Sequence, residues 1–375
     1  MKKILALILT IAMAAVMLAG CTGTTVVIGE CTCPCVTDDA VVAPEAAPAP
    51  EAAPETPAQD TSVEITADLV KTGMSVSTNI ADTASATADA NGVAKYDVTV
   101  AAVTVDDNGV IRSCVIDSIP ASVEFDTTGT IVSDITAAVP TKNEMGADYG
   151  MVAWGGAVAE WDAQVAAVAD YAVGKTVEEL KNGDIDMVSG KAKDGTDLQS
   201  SATIYLAGYV YAIEAAVNNA QHLGAQSGDE LVLTTVNSLS DSTDTNAENA
   251  GVAQLDSTIA ALTRNNGVIT SCYIDAVQAK IEFDDKGVVL TDLTAPVQTK
   301  NQLGENYGMV AWGGAIAEWN EQAASFASYI TGKTADEVAG IAVNESTKPA
   351  DGSDLASSVT IAIGGFQALI AKAMQ

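Results

Sequence analysis

A stretch of thirteen residues is written twice. Tyr149-Gly-Met-Val-Ala-Trp-Gly-Gly-Ala-Val-Ala-Glu-Trp161 returns as Tyr307-Gly-Met-Val-Ala-Trp-Gly-Gly-Ala-Ile-Ala-Glu-Trp319, and the match reaches back to Thr141-Lys142-Asn143 and Thr299-Lys300-Asn301. Over 141–161 and 299–319, 16 of 21 positions are identical, at a spacing of 158 residues. All four tryptophans of the chain fall inside these two copies. An internal repeat of this length points to two copies of one folding unit, so the rest of the sequence is best read in pairs.

Each copy reads strands first and helices afterwards. In the first, Tyr96 to Asp106 alternates and is rich in Val and Thr, as a half-buried strand is. Asn108-Gly109 is a tight-turn signal, and Val110 to Asp117 is the returning strand. A second hairpin is expected over Ser122 to Asp126 and Thr130 to Asp134. From Trp154, apolar residues recur at helical steps through Val158, Trp161, Val165, Val168 and Ala172, with Gly174 as the stop. A short helix through Val177 to Leu180 follows, and a last helix is expected to begin near Thr203. The second copy keeps this order, with turns at Asn266-Gly267 and Lys286-Gly287, a stripe from Trp312 to Ile330, and a last helix near Thr360. The pattern predicts an α+β fold: two tandem homologous domains, 66–222 and 228–375, each an antiparallel sheet with helices packed on one face. About 150 residues per copy is enough for each to bury its own core.

The N-terminus predicts where the chain works. Lys2 and Lys3, the apolar run Ile4 to Met17, and Leu18-Ala19-Gly20-Cys21 resemble a bacterial lipoprotein signal over 1–21, in which Cys21 is the lipid-attachment residue. The run is shorter than the roughly 20 residues a spanning helix needs. Residues 22–65 are rich in proline, alanine and glutamate and read as a tether. The expected location is the extracytoplasmic side of the cell membrane, held by a lipid anchor. Within the tether, Cys31-Thr-Cys33-Pro-Cys35 could hold a soft metal or an exchangeable disulfide, but no second ligand group is visible, and a surface thiol patch is the plainer reading.

With 17 basic and 49 acidic residues the net charge is -32, which repels nucleic acid. His222 is the only histidine, which excludes His-based triads and the usual zinc sites. No catalytic constellation and no metal site stand out. Cys114 and Cys272 occupy equivalent strand positions and read as small buried hydrophobes.

Two stretches are candidates for a ligand site. The repeated block either packs the first helix on the sheet or lines a pocket with Tyr149, Trp154, Tyr307 and Trp312. Aromatic residues at helical spacing favour packing. Glu160 with Gln164, and Glu318 with Gln322, lie on the polar flank of that stripe; a carboxylate there is usually solvated, but its retention beside the tryptophan in both copies makes it the polar group expected to orient a ligand. The second stretch is Asp197-Leu-Gln-Ser200-Ser201-Ala202-Thr203, repeated as Asp354-Leu-Ala-Ser357-Ser358-Val359-Thr360. It reads as a helix cap whose free amides could also seat a phosphate.

The second stretch resembles the FMN-attachment motif of the FMN-binding domain found in secreted bacterial redox proteins. In that motif a threonine carries FMN through a phosphoester. Asp197, Ser200, Ala202 and Thr203 match it, as do Asp354, Ser357 and Thr360. Ser201 and Ser358 stand where the family has glycine, Leu198 and Leu355 where it has a small residue, and Val359 where it has alanine. Tyr205 and Ala362 replace a hydroxyl residue. The chain is also similar to two-repeat lipoproteins of anaerobic Firmicutes that share the Tyr-Gly-Met and Glu-Trp pattern. The resemblance implies FMN at Thr203 and Thr360, with Tyr149, Trp154, Tyr307 and Trp312 beside the ring, and electron transfer to redox partners at the cell surface. The alternative is a binding or scaffold module without cofactor, in which duplication raises avidity. A hydrolase or transferase is the third and weakest reading.

Overall fold

Three strands open each half as a meander. In the first half β1 (Lys71–Asn79), β2 (Gly92–Val105) and β3 (Ile111–Phe125) pair antiparallel in that order. The computed structural model describes residues 68–375, so the signal, Cys21, the tether and the Cys31, Cys33 and Cys35 cluster lie outside the described residues. The β2–β3 turn is built as its sequence demands. The Asp106 carboxylate accepts from the Asn108 and Val110 amides at 2.9 Å each, and Gly109 takes the positive φ that the turn needs. β3 is one long strand where two shorter ones were expected. The second hairpin shrinks to a turn closed by a bridge between Phe125 and Ile131. Strand β1 is an addition to the expected order of strands.

Helices then cover one face of this sheet. α1 (Lys142–Met145) and a 3-10 turn lead to α2 (Met151–Gly155). α3 (Trp161–Ala172) and α4 (Val177–Asn182) follow, then a two-residue ribbon of β4 (Ile185–Asp186) and β5 (Lys191–Ala192). α5 (Asp197–Ser201) and α6 (Ala207–Asn218) close the half. Trp161, Val165 and Val168 of α3 and Val210 and Ile213 of α6 bury against Val103, Ile111 and Ile116 of the sheet. The second half repeats the plan with β6 (Glu230–Ser238), β7 (Gly251–Asn265) and β8 (Val268–Phe283). Its helices are α7 (Lys300–Leu303), α8 (Met309–Gly313), α9 (Trp319–Ile330), α10 (Ala335–Ala339) and α11 (Gly364–Ala373). The fold is mixed α+β with antiparallel sheets.

Each half keeps a core of its own between helices and sheet, and the two halves share a further core between their sheets. Along β2 the burial alternates as far as Thr99, but Val100 to Val105 are buried without a break. A strand reads that way only when both faces are covered. The helices cover one face; the sheet of the other half covers the second. Val98, Val100 and Val123 share one cluster with Leu255, Ile259 and Ile281. At its centre Phe125 and Phe283, equivalent residues of the two copies, stack with centroids 4.0 Å apart and planes 3° from parallel. The layers therefore run helix, sheet, sheet, helix. The contact is self-complementary, as an isologous interface is. Thr245 N–H donates to Gly129 O (3.0 Å) and Ala86 N–H to Gly287 O (2.7 Å). Likewise Ile131 N–H donates to Asp244 Oδ1 and Val289 N–H to Ser85 Oγ. An independent core in each copy is found on the helix side only; the other face of each sheet is covered by the partner half. A three-stranded sheet with two apolar faces and one set of helices has to find its second cover elsewhere.

Candidate functional site

The repeated block is a glycine-bounded turn that presents a tryptophan. Thr141 caps α1 in a reciprocal pair with Glu144, and the chain reverses through Gly150 at φ 79° into α2. Gly156, at φ 61°, ends α2 in the left-handed region. Glu160 then reaches back. Its carboxylate accepts from the Met151 amide at 2.8 Å and the Val152 amide at 3.1 Å, satisfying the open amides of α2. Glu318 does the same for Met309 (2.8 Å) and Val310 (3.0 Å). These glutamates are structural caps.

Trp154 and Trp312 are each 90% exposed. A Cβ built on Gly150 would lie 2.3 Å from Trp154 Cδ1, and one on Gly308 the same distance from Trp312 Cδ1, so each indole rests one edge on a glycine backbone. Val158 and Ile316 are also exposed. The helical stripe expected from Trp154 and Trp312 is thus corrected: the buried face starts at Trp161 and Trp319, after the Gly-Gly break.

The threonine turns are tied to this block by a buried glutamine. Gln164, fully buried, donates from Nε2 to Ala159 O (2.8 Å), while its Oε1 accepts from Thr203 N (2.8 Å) and Oγ1 (3.2 Å). Gln322 repeats this with Ala317 O (2.8 Å) and with Thr360 N (2.7 Å) and Oγ1 (3.2 Å). Neither threonine amide is therefore free, and neither residue starts the last helix. α6 and α11 begin four residues later, at Ala207 and Gly364. Ser200 Oγ and Ser357 Oγ donate back to the Asp197 and Asp354 carbonyls at 2.7 Å. Asp197 and Asp354 themselves are exposed. A hollow of about 540 Å³ beside Thr203 is bounded by Ser189, Lys191, Lys193 and Gln199.

Sequence reasoning missed a second, aromatic cleft. Tyr149, Trp161, Ile204, Tyr205 and Tyr209 bound a space of about 410 Å³. It shares Ser77, Thr99 and Tyr209 with a side lobe of about 260 Å³ that reaches Asp97 and Lys142. Tyr149 is thereby brought close to the residues following Thr203, whereas Trp154 is not. Lys142 is buried, with Nζ 5.1 Å from the Tyr149 ring centre, 5.2 Å from that of Trp161 and 3.5 Å from Asp97 Oδ1. Burial alone would lower its pKa; the Asp97 carboxylate and Tyr149 outweigh that, and the net shift is upward. Trp161 Nε1 donates to the Tyr209 hydroxyl at 3.0 Å. The signal that could have found this cleft is Lys142 itself, a cation kept inside an otherwise aromatic repeat.

Beneath the block sit two buried acids. Asp117 Oδ1 accepts from the Ser118 and Asn143 amides, and Asp275 Oδ1 from those of Ala276 and Asn301, pinning each block to its sheet. Burial pushes the Asp275 pKa up to about 6, against hydrogen bonds that pull it down. Burial likewise pushes the Cys114 and Cys272 thiols up to about 12. Among the described residues, no group of three or more His, Cys, Asp or Glu is placed to hold a metal, and no helix is long and apolar enough to cross a membrane. Comparison with family models, curated proteins and solved structures finds no match to this chain.

Proposed function

We propose that this chain is an extracytoplasmic, lipid-tethered binding protein built from a duplicated unit, which offers one tryptophan-bearing turn in two copies to a repetitive surface target. The observation that carries this reading is the 90% exposure of Trp154 and Trp312 within turns of near-identical sequence. Packing explains why Trp161 and Trp319 recur, because they are buried; it does not explain an indole left in water twice. Tryptophan is enriched among the residues that dominate interface energy. The Glu160 and Glu318 caps fix the short helix that carries each indole, which reduces the entropy lost on docking. Two such turns on one body add avidity toward a repeating partner.

The test is cosedimentation of the protein with isolated cell envelope, comparing wild type with Trp154→Ala, Trp312→Ala and the double variant. Each single change is expected to weaken binding about tenfold or more, and the double change to abolish it, with the circular dichroism spectrum unchanged. A double variant that sediments like wild type would refute the reading.

A flavin-carrying reading keeps one observation of its own. In a strongly acidic chain, Lys191 and Lys193 both border the hollow beside Thr203 and would suit a phosphate there, although Asp186 and Asp194 border it too. The isoalloxazine would supply the redox chemistry, and the chain would pass electrons to surface partners. Expression with and without a flavin transferase, read by visible absorbance and intact mass, decides it. Colourless, unmodified protein in both cases removes it.

A further inference from the structure

The two halves agree so closely around Lys142 and Lys300 that their differences can be read one residue at a time. Lys300 lies 4.9 Å from the Tyr307 ring centre and 5.2 Å from that of Trp319, as Lys142 does with Tyr149 and Trp161. Phe366 meets Trp319 edge-on at 5.9 Å and 76°, as Tyr209 meets Trp161 at 6.1 Å and 72°. By strand register Ser77 corresponds to Val236 (each faces a threonine, Thr99 or Thr258), and Ser118 to Ala276. Counting from the paired threonines Thr203 and Thr360, Tyr205 corresponds to Ala362 and Tyr209 to Phe366. Four hydroxyls around one cleft are thus four apolar groups in the other half. The fold does not need them, since the second half makes the same sheet and the same ring contact without them.

Two of these four hydroxyls, Ser77 and Tyr205, make no side-chain hydrogen bond among the described residues, whereas Ser118 Oγ donates to Asp97 Oδ1 at 3.3 Å and the Tyr209 hydroxyl accepts from Trp161 Nε1. Thr99, on the same face as Ser77, likewise makes no side-chain hydrogen bond among the described residues. Asp97, whose side chain is 54% exposed, puts a carboxylate on the rim of the side lobe. The charges are balanced: Lys142 is neutralised by Asp97 and enclosed by two rings.

We infer that the first half alone carries a binding cleft for a neutral sugar ring. A pyranose has an apolar C–H face that stacks on aromatic rings, and a rim of hydroxyls that both donate and accept. The cleft offers both complements, with Tyr205 and Tyr209 as walls and Ser77, Thr99 and Asp97 around them. A flat aromatic ligand would leave the hydroxyls and Asp97 unmatched. An anionic ligand would meet Asp97 and find Lys142 already paired. The two lobes, about 410 and 260 Å³, together fall in the range of small-molecule sites. The second half keeps the scaffold, with Thr258 and Asp256 in place of Thr99 and Asp97, but lacks the four hydroxyls. This inference does not rest on the tryptophan turns.

The experiment is isothermal calorimetry on the purified full chain with glucose, N-acetylglucosamine and cellobiose, and with phenylalanine and benzoate as competing chemistries. Saturable binding of at least one sugar at one site per chain is expected. The variant Ser77→Val, Ser118→Ala, Tyr205→Ala, Tyr209→Phe copies residues the fold already accepts in its other half, and should weaken that binding at least tenfold. Asp97→Asn, a milder change, should weaken it several-fold. Trp154→Ala should leave it unchanged, which separates this site from the exposed turns. Absence of binding by all three sugars, tighter binding of phenylalanine or benzoate, or full affinity in the folded quadruple variant would each overturn the inference.

Discussion

Replacing Phe125 by alanine asks whether the two halves stand or fall together. The ring is fully buried, stacked face to face on Phe283, and its Cε2 lies where a side chain on Gly92 would have to go. Its neighbours on both sides are therefore flat surfaces, a ring and a glycine backbone, that cannot swing in to fill the gap. Loss of a buried phenylalanine costs about 3–5 kcal/mol, and the poor collapse here argues for the upper part of that range. The stacked pair adds about 0.5–1.5 kcal/mol beyond its area. Since either single change removes the pair, the Phe125→Ala, Phe283→Ala double variant should fall short of the summed costs by about 1 kcal/mol. Urea unfolding followed by fluorescence can report each half separately, using variants that keep only Trp161 or only Trp319, one buried in each helical layer. Both reporters should show one midpoint in wild type. In Phe125→Ala both should move down together, by about 1 M or more for a slope near 3 kcal/mol/M. If the Trp319 midpoint stays where it was while the Trp161 midpoint drops, the shared core does not couple the halves and the reasoning fails.

Other consequences are more local. The Asp275 carboxyl, raised by burial to about 6 against 3.8 in the unfolded chain, holds its proton longer in the native state. Stability from this group is thus complete below pH 3.8 and is lost as pH rises through about 6, up to about 3 kcal/mol. Asp275→Asn keeps an oxygen for both amides and should flatten the fall between pH 4 and 6 in urea titrations; an unchanged slope would count against it. Cys114 and Cys272, with thiols pushed up to about 12, should resist iodoacetamide at pH 8 until denaturant is added, as read by peptide mass mapping. Rapid native labelling of either would contradict that shift, and slow labelling should begin at Cys114, which is half-buried where Cys272 is buried. Glu160→Ala strips the acceptor from two amides at a cost of about 1–2 kcal/mol. Hydrogen exchange at Met151 and Val152 should quicken about tenfold or more while the β-strands keep their protection; uniform loss of protection would mean the cap supports the whole half.

How far the residues announced all this depends on what each signal measures. The turn at Asn108-Gly109 and the stops at Gly174 and Gly332 were readable because a positive φ is a local demand that glycine alone meets cheaply. The amphipathic stripe from Trp161 was readable for the same local reason. The pooled core was not, although its trace is present in the unbroken burial of Val100 to Val105. Apolar residues on both faces of a strand say that two layers cover it, and never which layers; only the repeat hints that the second cover is the other copy. Trp154 and Trp161 sharpen the point. They are seven residues apart, a spacing that puts both on one face of a continuous helix. Yet one is 90% exposed and the other 3%. What separates them is Gly155-Gly156, where the left-handed φ of Gly156 ends one helix before Trp161 starts the next. Periodicity counts through such a break as if it were absent, so it places Trp154 in the core, where packing would account for its repetition. Once the break is recognised, packing no longer accounts for it, and recognition by something outside the chain becomes the stronger reason for keeping the residue twice.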